Sequence, residues 1–216
     1  MATAKKTIKK TPAVEPNKIT ITPVAIATVN FTIKQRGESP LVVHAWSAKA
    51  LRTMRLTAAE RKKVAKVARN PEEEADGATY YMDDGRIGIS AMAVKSSLLK
   101  AAHKDFGIPR TTVMKAMFLK ASDTSGNLPL EYVEMSIRED CVRVGNGSTD
   151  LRYRPEFQGW SVDVCFEIDT RVLTPDDLVN LANNAGFGVG VGEWRPEKGG
   201  EWGRFEVDTT APVTIS

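Results

Sequence analysis

Gly186-Phe-Gly-Val-Gly-Val-Gly192-Glu-Trp-Arg-Pro-Glu-Lys-Gly199-Gly200-Glu-Trp-Gly203-Arg-Phe-Glu-Val207 is the stretch on which the fold turns. Its spacing of glycines looks at first like a dinucleotide fingerprint. That fingerprint needs a strand before the glycines and a helix after them. Here the order is reversed. Thr174 with Pro175 behind it starts a helix, Asp176 and Asp177 suit the positive end of its dipole, and Leu178, Val179 and Leu181 supply a core face. Gly186 is expected to stop that helix, Pro196 interrupts the loop, and Arg204 to Val207 reads as a strand. So many glycines imply positive φ angles and close backbone approach. Two readings remain open. The exposed N–H groups of Gly188, Gly190 and Gly192 cradle phosphate with Arg195, Lys198 and Arg204 beside them, or the loop is a tight hairpin packed on itself.

Working back from the loop, Trp160 to Ile168 alternates through Val162, Val164 and Phe166, and Leu130 to Ile137 has the composition of another strand. Between them lies an excursion, residues 138–157, carrying Arg138, Arg143, Arg152 and Arg154 with Tyr153, Phe157 and Trp160. Arginine's planar fork suits phosphate, and aromatic rings offer stacking platforms for bases. Glu139, Asp140 and Asp150 can instead pair with those arginines on an ordinary hairpin. Residues 111–120 fit helix or strand. Ser90 opens a helix whose apolar side is Met92, Val94, Leu98, Leu99 and Ala102, ended by Gly107 and Pro109. Residues 47–69 are helical, with Thr57 and Glu60 as a capping box for the second piece. Residues 27–34 form a strand with Val29, Phe31 and Ile33 on one face, and Leu41 to Val43 resumes an extended segment. Strands alternating with packed helices give an α+β sheet-and-helix layer.

The chain has 216 residues, 42% hydrophobic and 26% charged, enough for one domain with a full core. No apolar run is long enough to span a membrane. The formal charge is +3, and the first eighteen residues carry it, since Lys5, Lys6, Lys9, Lys10 and Lys18 face Glu15 alone. They read as a disordered basic arm ahead of a single domain over 19–216. Within that domain, 70–85 is acidic (Glu72, Glu73, Glu74, Asp76, Asp83, Asp84) and reads as an exposed insertion. Residues 86–120 are basic, with Lys95 and Lys100 the lysines best placed to meet a polyanion. Cys141 and Cys165 have no metal or disulfide spacing, so reduced thiols in a cytoplasmic protein, no metal and no cofactor are expected.

Three segments together resemble the RAMP superfamily, the RNA-binding backbone proteins of CRISPR complexes. The first is the glycine loop above. The second, Ile87-Gly-Ile-Ser-Ala-Met-Ala-Val-Lys-Ser-Ser-Leu-Leu-Lys-Ala-Ala102, is similar to that superfamily's helix entry. The third, Ser39-Pro-Leu-Val-Val-His-Ala45, is similar to the extended segment after its first strand. The resemblance covers residues 25–208. It implies a ferredoxin-like, RNA-recognition-like sheet with helices on one face, a projecting hairpin at 138–157 and a glycine-rich C-terminal loop. It further implies binding of single-stranded RNA or DNA, without catalysis, by a head-to-tail homo-oligomer or filament. The short chain and the Trp-Arg-Pro-Glu-Lys insert depart from the superfamily's CRISPR subunits and look like a stand-alone, phage-encoded relative. The same fold also permits an anti-defence or structural protein-interaction module whose working end is the acidic 70–85. Because some RAMP relatives cut RNA with a histidine, His44 and His103 point to a metal-independent ribonuclease as a third reading, and Asp83 with Asp84 to metal-assisted cleavage. A packed or exposed histidine is the simpler account of each. No P-loop, nucleophile elbow or paired-histidine helix is present.

Overall fold

The computed structural model describes residues 22–57, 59–60, 68–145 and 147–216. The basic arm expected over 1–18 lies outside the described residues, as does most of the second helical piece expected before residue 69. The start of that piece is described: the Glu60 carboxylate accepts from the Thr57 N–H at 2.8 Å, and the Glu60 N–H donates back to the Thr57 hydroxyl at 3.4 Å.

Strand β1 (Ile26–Gln35) forms because β-branched residues alternate with polar ones, and it buries Val29, Phe31 and Ile33. It pairs antiparallel with β9 (Ser161–Asp169), so that Val29 faces Phe166, Phe31 faces Val164 and Ile33 faces Val162. With β5 (Met117–Leu119) and β10 (Phe205–Val207), these strands make an antiparallel sheet in the order β10-β1-β9-β5, and β11 (Thr214–Ile215) also pairs with β1. Two helices, α3 (Ala91–Phe106) and α5 (Pro175–Gly188), pack against each other, burying Val94, Leu98 and Leu99 from one and Leu178 and Leu181 from the other. Ala101, Ala102, Ala182 and Ala185 are fully buried there, small enough to let the two helices approach closely. The chain therefore runs strand–helix–strand twice, β1–α3–β5 and β9–α5–β10, with the first strand of each half in the middle of the sheet. This is the ferredoxin-like arrangement that the sequence leads one to expect.

Two smaller sheets are inserted: β2 (Leu41–Val42) with β8 (Ser148–Gln158) and β7 (Glu134–Val144), and β3 (Tyr80–Tyr81) with β4 (Ile87–Ser90) and β6 (Asn127–Pro129). Several expectations change here. Leu130 to Ile137 is not one strand. The Leu130 N–H donates to Ile87 and the Glu131 N–H to Ser161, so the chain hands over between sheets before β7 begins. The hairpin consequently starts at Glu134 rather than Arg138 and runs through eleven paired residues a side. Residues 110–119 are helix and strand in succession, α4 (Arg110–Ala116) then β5. Met92 is 66% exposed, because it lies about 200° round the helix from Val94. In the acidic segment Glu72, Glu73, Asp76, Asp83 and Asp84 are exposed, and its first half is helical. Asn70 caps helix α2 (Pro71–Gly77), which buries Ala75 and packs on β8, leaving Glu72 and Glu73 outward. Gly186 does not end α5. It lies inside the helix, where a Cβ would stand 2.0 Å from the Phe205 carbonyl oxygen, so it is a packing residue. Among the described residues, no helix is long and apolar enough to cross a membrane.

Candidate nucleic-acid interface

The segments that carry the family resemblance come together at one place. Past α5, the N–H groups of Val189 and Gly190 both donate to Ala185, and Gly190 turns the chain with φ +72°. The loop then lies down on β2 and its approach: Gly203 donates to the Pro40 carbonyl at 2.7 Å and Glu193 to Val42 at 2.8 Å. Glycine is required where these backbones meet. A Cβ on Gly203 would stand 1.8 Å from the Val191 oxygen, and one on Gly192 2.4 Å from that of Val42. The same bonds occupy most of the N–H groups that could have cradled an anion, including those of Val191, Glu193, Glu197, Lys198, Gly200 and Trp202. Gly188 is the last helical residue of α5. The loop is packed on itself and on β2, and what it presents outward is side chains.

The loop, residues 43–44 just after β2, and α3 enclose a groove of about 360 Å³, lined by His44, Ser90, Ser96, Lys100, Glu193 and Arg195 among others. Ser90 is the N-terminal cap of α3, and the first N–H of that helix, from Ala91, donates to the Gly126 carbonyl at 3.2 Å. Bonded to two of the cations that line the groove, Glu197 sits on a short 3₁₀ turn (Pro196–Lys198) and is 12% exposed. One carboxylate oxygen accepts from Lys100 at 2.7 Å and from Arg195 at 3.1 Å, and the other lies 3.7 Å from Lys104. Burial alone would raise the Glu197 carboxyl, but the hydrogen bonds from Lys100 and Arg195 outweigh it and hold the group below its usual range. Three cations share one anion. Arg195 is further fixed by donating to the Gly192 carbonyl at 2.7 Å.

The hairpin behaves differently. Arg154 is 4% exposed, donates to Asp140 at 3.1 Å and, through Nε, to His44 Nδ1 at 3.1 Å. Arg138 bonds Asp140 at 3.0 Å and Glu156 at 2.8 Å, with its guanidinium 3.7 Å from the centre of the Trp202 ring. Arg152 lies 3.4 Å from Asp150. Arg143 is exposed near the tip, and Tyr153 packs under Arg69. Both ring nitrogens of His44 face arginine, Nδ1 accepting from Arg154 and Nε2 lying 3.5 Å from Arg152 Nη1. Burial, followed by Arg154 and Arg152, lowers the imidazole below its ordinary range, which favours the neutral ring.

Of the residues singled out from sequence, Lys100, Gly190, Gly192 and Arg195 share the groove, and Arg152 and Arg154 gather round His44 at its end. Others stand apart. Lys95 lies over Phe118 at 4.7 Å, Arg204 over Phe187 at 5.2 Å, and Lys198 is exposed on the loop. Asp83 and Asp84 are engaged in turns with Thr124 and Arg86. His103 is exposed on α3, away from His44. Glu197 is not a candidate from sequence, and His44 is one only for ribonuclease chemistry, not for binding. His44 had the signal of its place in the Ser39–Ala45 segment, but Glu197 had none. The open face of the central sheet pairs Thr32 with Asp163 and Lys120 with Glu167, and Phe118 is the exposed aromatic on it. A stacking surface of the RNA-recognition kind is therefore not assembled there among the described residues.

No family model matches the sequence, and no curated protein sequence does either. Among solved structures, a chain of type III-B Cmr-beta bound to cognate target RNA is similar with a TM-score of 0.51 and 8% identity, over 88% of this chain and 60% of that one. The protein thus matches about three-fifths of that chain's length. Cmr6 from Pyrococcus furiosus is similar at a TM-score of 0.41 and 11% identity, over 86% of this chain and 100% of that one. At 8% identity, the likeness to the Cmr-beta chain shows a shared fold.

Proposed function

We propose that this protein binds single-stranded nucleic acid along its phosphate backbone, without cleaving it, in the groove between α3, residues 43–44 and the glycine loop. The observation that carries this reading is the Glu197 cluster, in which Lys100 and Arg195, both lining the groove, are held by one carboxylate with exposed Lys104 nearby, more positive charge than Glu197 cancels. A phosphate entering the groove meets Lys100 and Arg195, placed before it arrives, and must displace or avoid the Glu193 carboxylate that shares the lining. The chemistry favours holding over cutting. His44 is engaged by Arg154 through Nδ1, and His103 does not line the groove, so among the described residues no pair of histidines flanks a phosphate. On a long strand the reading implies several copies in a row, which electron microscopy of saturated complexes would display.

Filter binding of single-stranded RNA and DNA over a range of salt tests it. Affinity is expected to fall with salt, as counterion release requires. Lys100→Ala and Arg195→Ala should each weaken binding several-fold and make the salt slope shallower by about one unit, with the strand recovered intact. Binding indifferent to salt, or unchanged in both variants, breaks the proposal. Binding to no strand at all turns attention to the outward Glu72 and Glu73 of α2 as a protein-docking face.

A further inference from the structure

Trp194 is the one non-glycine residue among those described with a positive φ, +52°. Bulky side chains avoid that conformation, and where one persists the surroundings hold it there. The surroundings here are specific. The Trp194 carbonyl accepts from the Trp202 N–H at 3.1 Å, and Gly200 comes so near that a Cβ on it would stand 1.8 Å from the same oxygen. The Trp194 ring meets that of Trp202 at 69° with centroids 5.9 Å apart, and Arg138 covers Trp202 at 3.7 Å. A contact at that angle takes up at most one face of Trp194, and the residue remains 41% exposed. Its two chain neighbours, Glu193 and Arg195, both line the groove. The turn at Trp194 therefore lies between two residues of the groove, and its indole, outside the groove lining and braced on Trp202, is one residue from Arg195 of the cation cluster.

We propose that Trp194 is a stacking platform for an unpaired nucleobase, the base belonging to the nucleotide whose phosphate lies at Lys100 and Arg195. The inference rests on the groove reading above and adds the part of the ligand which that reading leaves out. A braced aromatic beside a fixed cation suits a nucleotide, because phosphate and base are joined through one sugar and need both contacts within a short reach. Stacking of this kind tolerates any base, since every base presents a π face.

The test compares a single-stranded oligonucleotide with an abasic strand of the same length and charge. Trp194→Gly is the informative variant. It removes the ring and relieves the positive φ, so loss of binding in it is not loss of fold, and thermal denaturation will check this. Trp194→Phe keeps an aromatic face. The expected result is that Trp194→Gly weakens binding of the normal strand by about five- to a hundredfold, leaves the abasic strand unchanged, and is largely rescued by Phe. Equal effects on both strands, or none on either, overturn the platform while leaving the groove intact. Wild-type protein that binds neither strand overturns the groove reading itself. A Trp194→Gly variant that loses self-association while binding the normal strand as wild type does assigns the ring to a protein contact and also overturns the proposal.

Discussion

The hairpin and the glycine loop both offer cations in the sequence, four arginines over 138–157 and Arg195, Lys198 and Arg204 over 186–207, yet the fold uses those cations in opposite ways. On the hairpin, Arg138, Arg152 and Arg154 meet Asp140, Asp150 and Glu156, and Arg154 is buried as a strut between β7, β8 and His44. Charge there is balanced within the hairpin itself, while Arg154 on His44 and Arg138 on Trp202 tie it to the body. In the loop, Arg195 joins Lys100 and Lys104 round the single carboxylate of Glu197, and the balance is positive. An arginine count therefore says little about where a polyanion will sit. What remains unpaired after folding decides it.

The strongest way to sharpen this contrast is Arg154→Ala. It removes one of the two arginines on the buried Asp140 carboxylate, leaving Arg138 at 3.0 Å, and breaking this side of a buried pair should cost about 3 kcal/mol. The stability loss should appear in urea denaturation, while folded protein binds nucleic acid with an unchanged salt slope. A changed slope with stability intact would erase the distinction. Next comes a glycine from each region. Gly203 and Gly145 both have positive φ, +64° and +61°, but a Cβ on Gly145 meets nothing within 4 Å while one on Gly203 runs into Val191. Gly203→Ala should cost about 2–5 kcal/mol and Gly145→Ala about 1 kcal/mol, read as thermal shifts. Similar values for both would mean the loop is not packed as described.

The smallest effect belongs to His44, which joins the two regions. Its folded-state pKa lies below the ordinary value of about 6.5 because of burial and then Arg154 and Arg152. Below that ordinary value the unfolded chain takes up a proton that the folded one refuses, so stability falls as pH drops below it. The fall ends once the lower folded value is passed. His44→Asn, which keeps an acceptor near Nδ1 and cannot titrate, should flatten urea midpoints over that window relative to wild type. An identical pH dependence in both proteins would show that His44 does not couple to folding.

Much of this architecture was legible from local signals. The alternation of Val29, Phe31 and Ile33 marked the first strand. Thr174, Pro175 and Asp177 marked the start of α5, where Thr174 and Asp177 form a capping box. The order of three short segments pointed to the fold class. What escaped was whatever depends on distant partners. Lys100 and Glu197 are 97 positions apart, so nothing near either one announces the cluster. Gly186 looked like a helix stop because a glycine's local meaning is a break, whereas here it makes room for Phe205. Arg154 looked like a phosphate ligand because its burial is set by His44, 110 positions away. Met92 was placed inside because apolar residues usually are, and helical phase puts it outside.

One strand has a consequence for how the chain reaches this state. β1 is bordered on one side by β9 and on the other by β10 and β11 in succession, with Asn30 bonded to Thr214 across 184 positions. On a ribosome, the first strand would emerge with one edge unmatched until residues 205–215 followed it out. Closing so long a loop before any pairing rewards it is a slow event. The central sheet is therefore assembled late, after synthesis of this region is complete, and β1 waits until then as a sticky edge that a chaperone would have reason to cover.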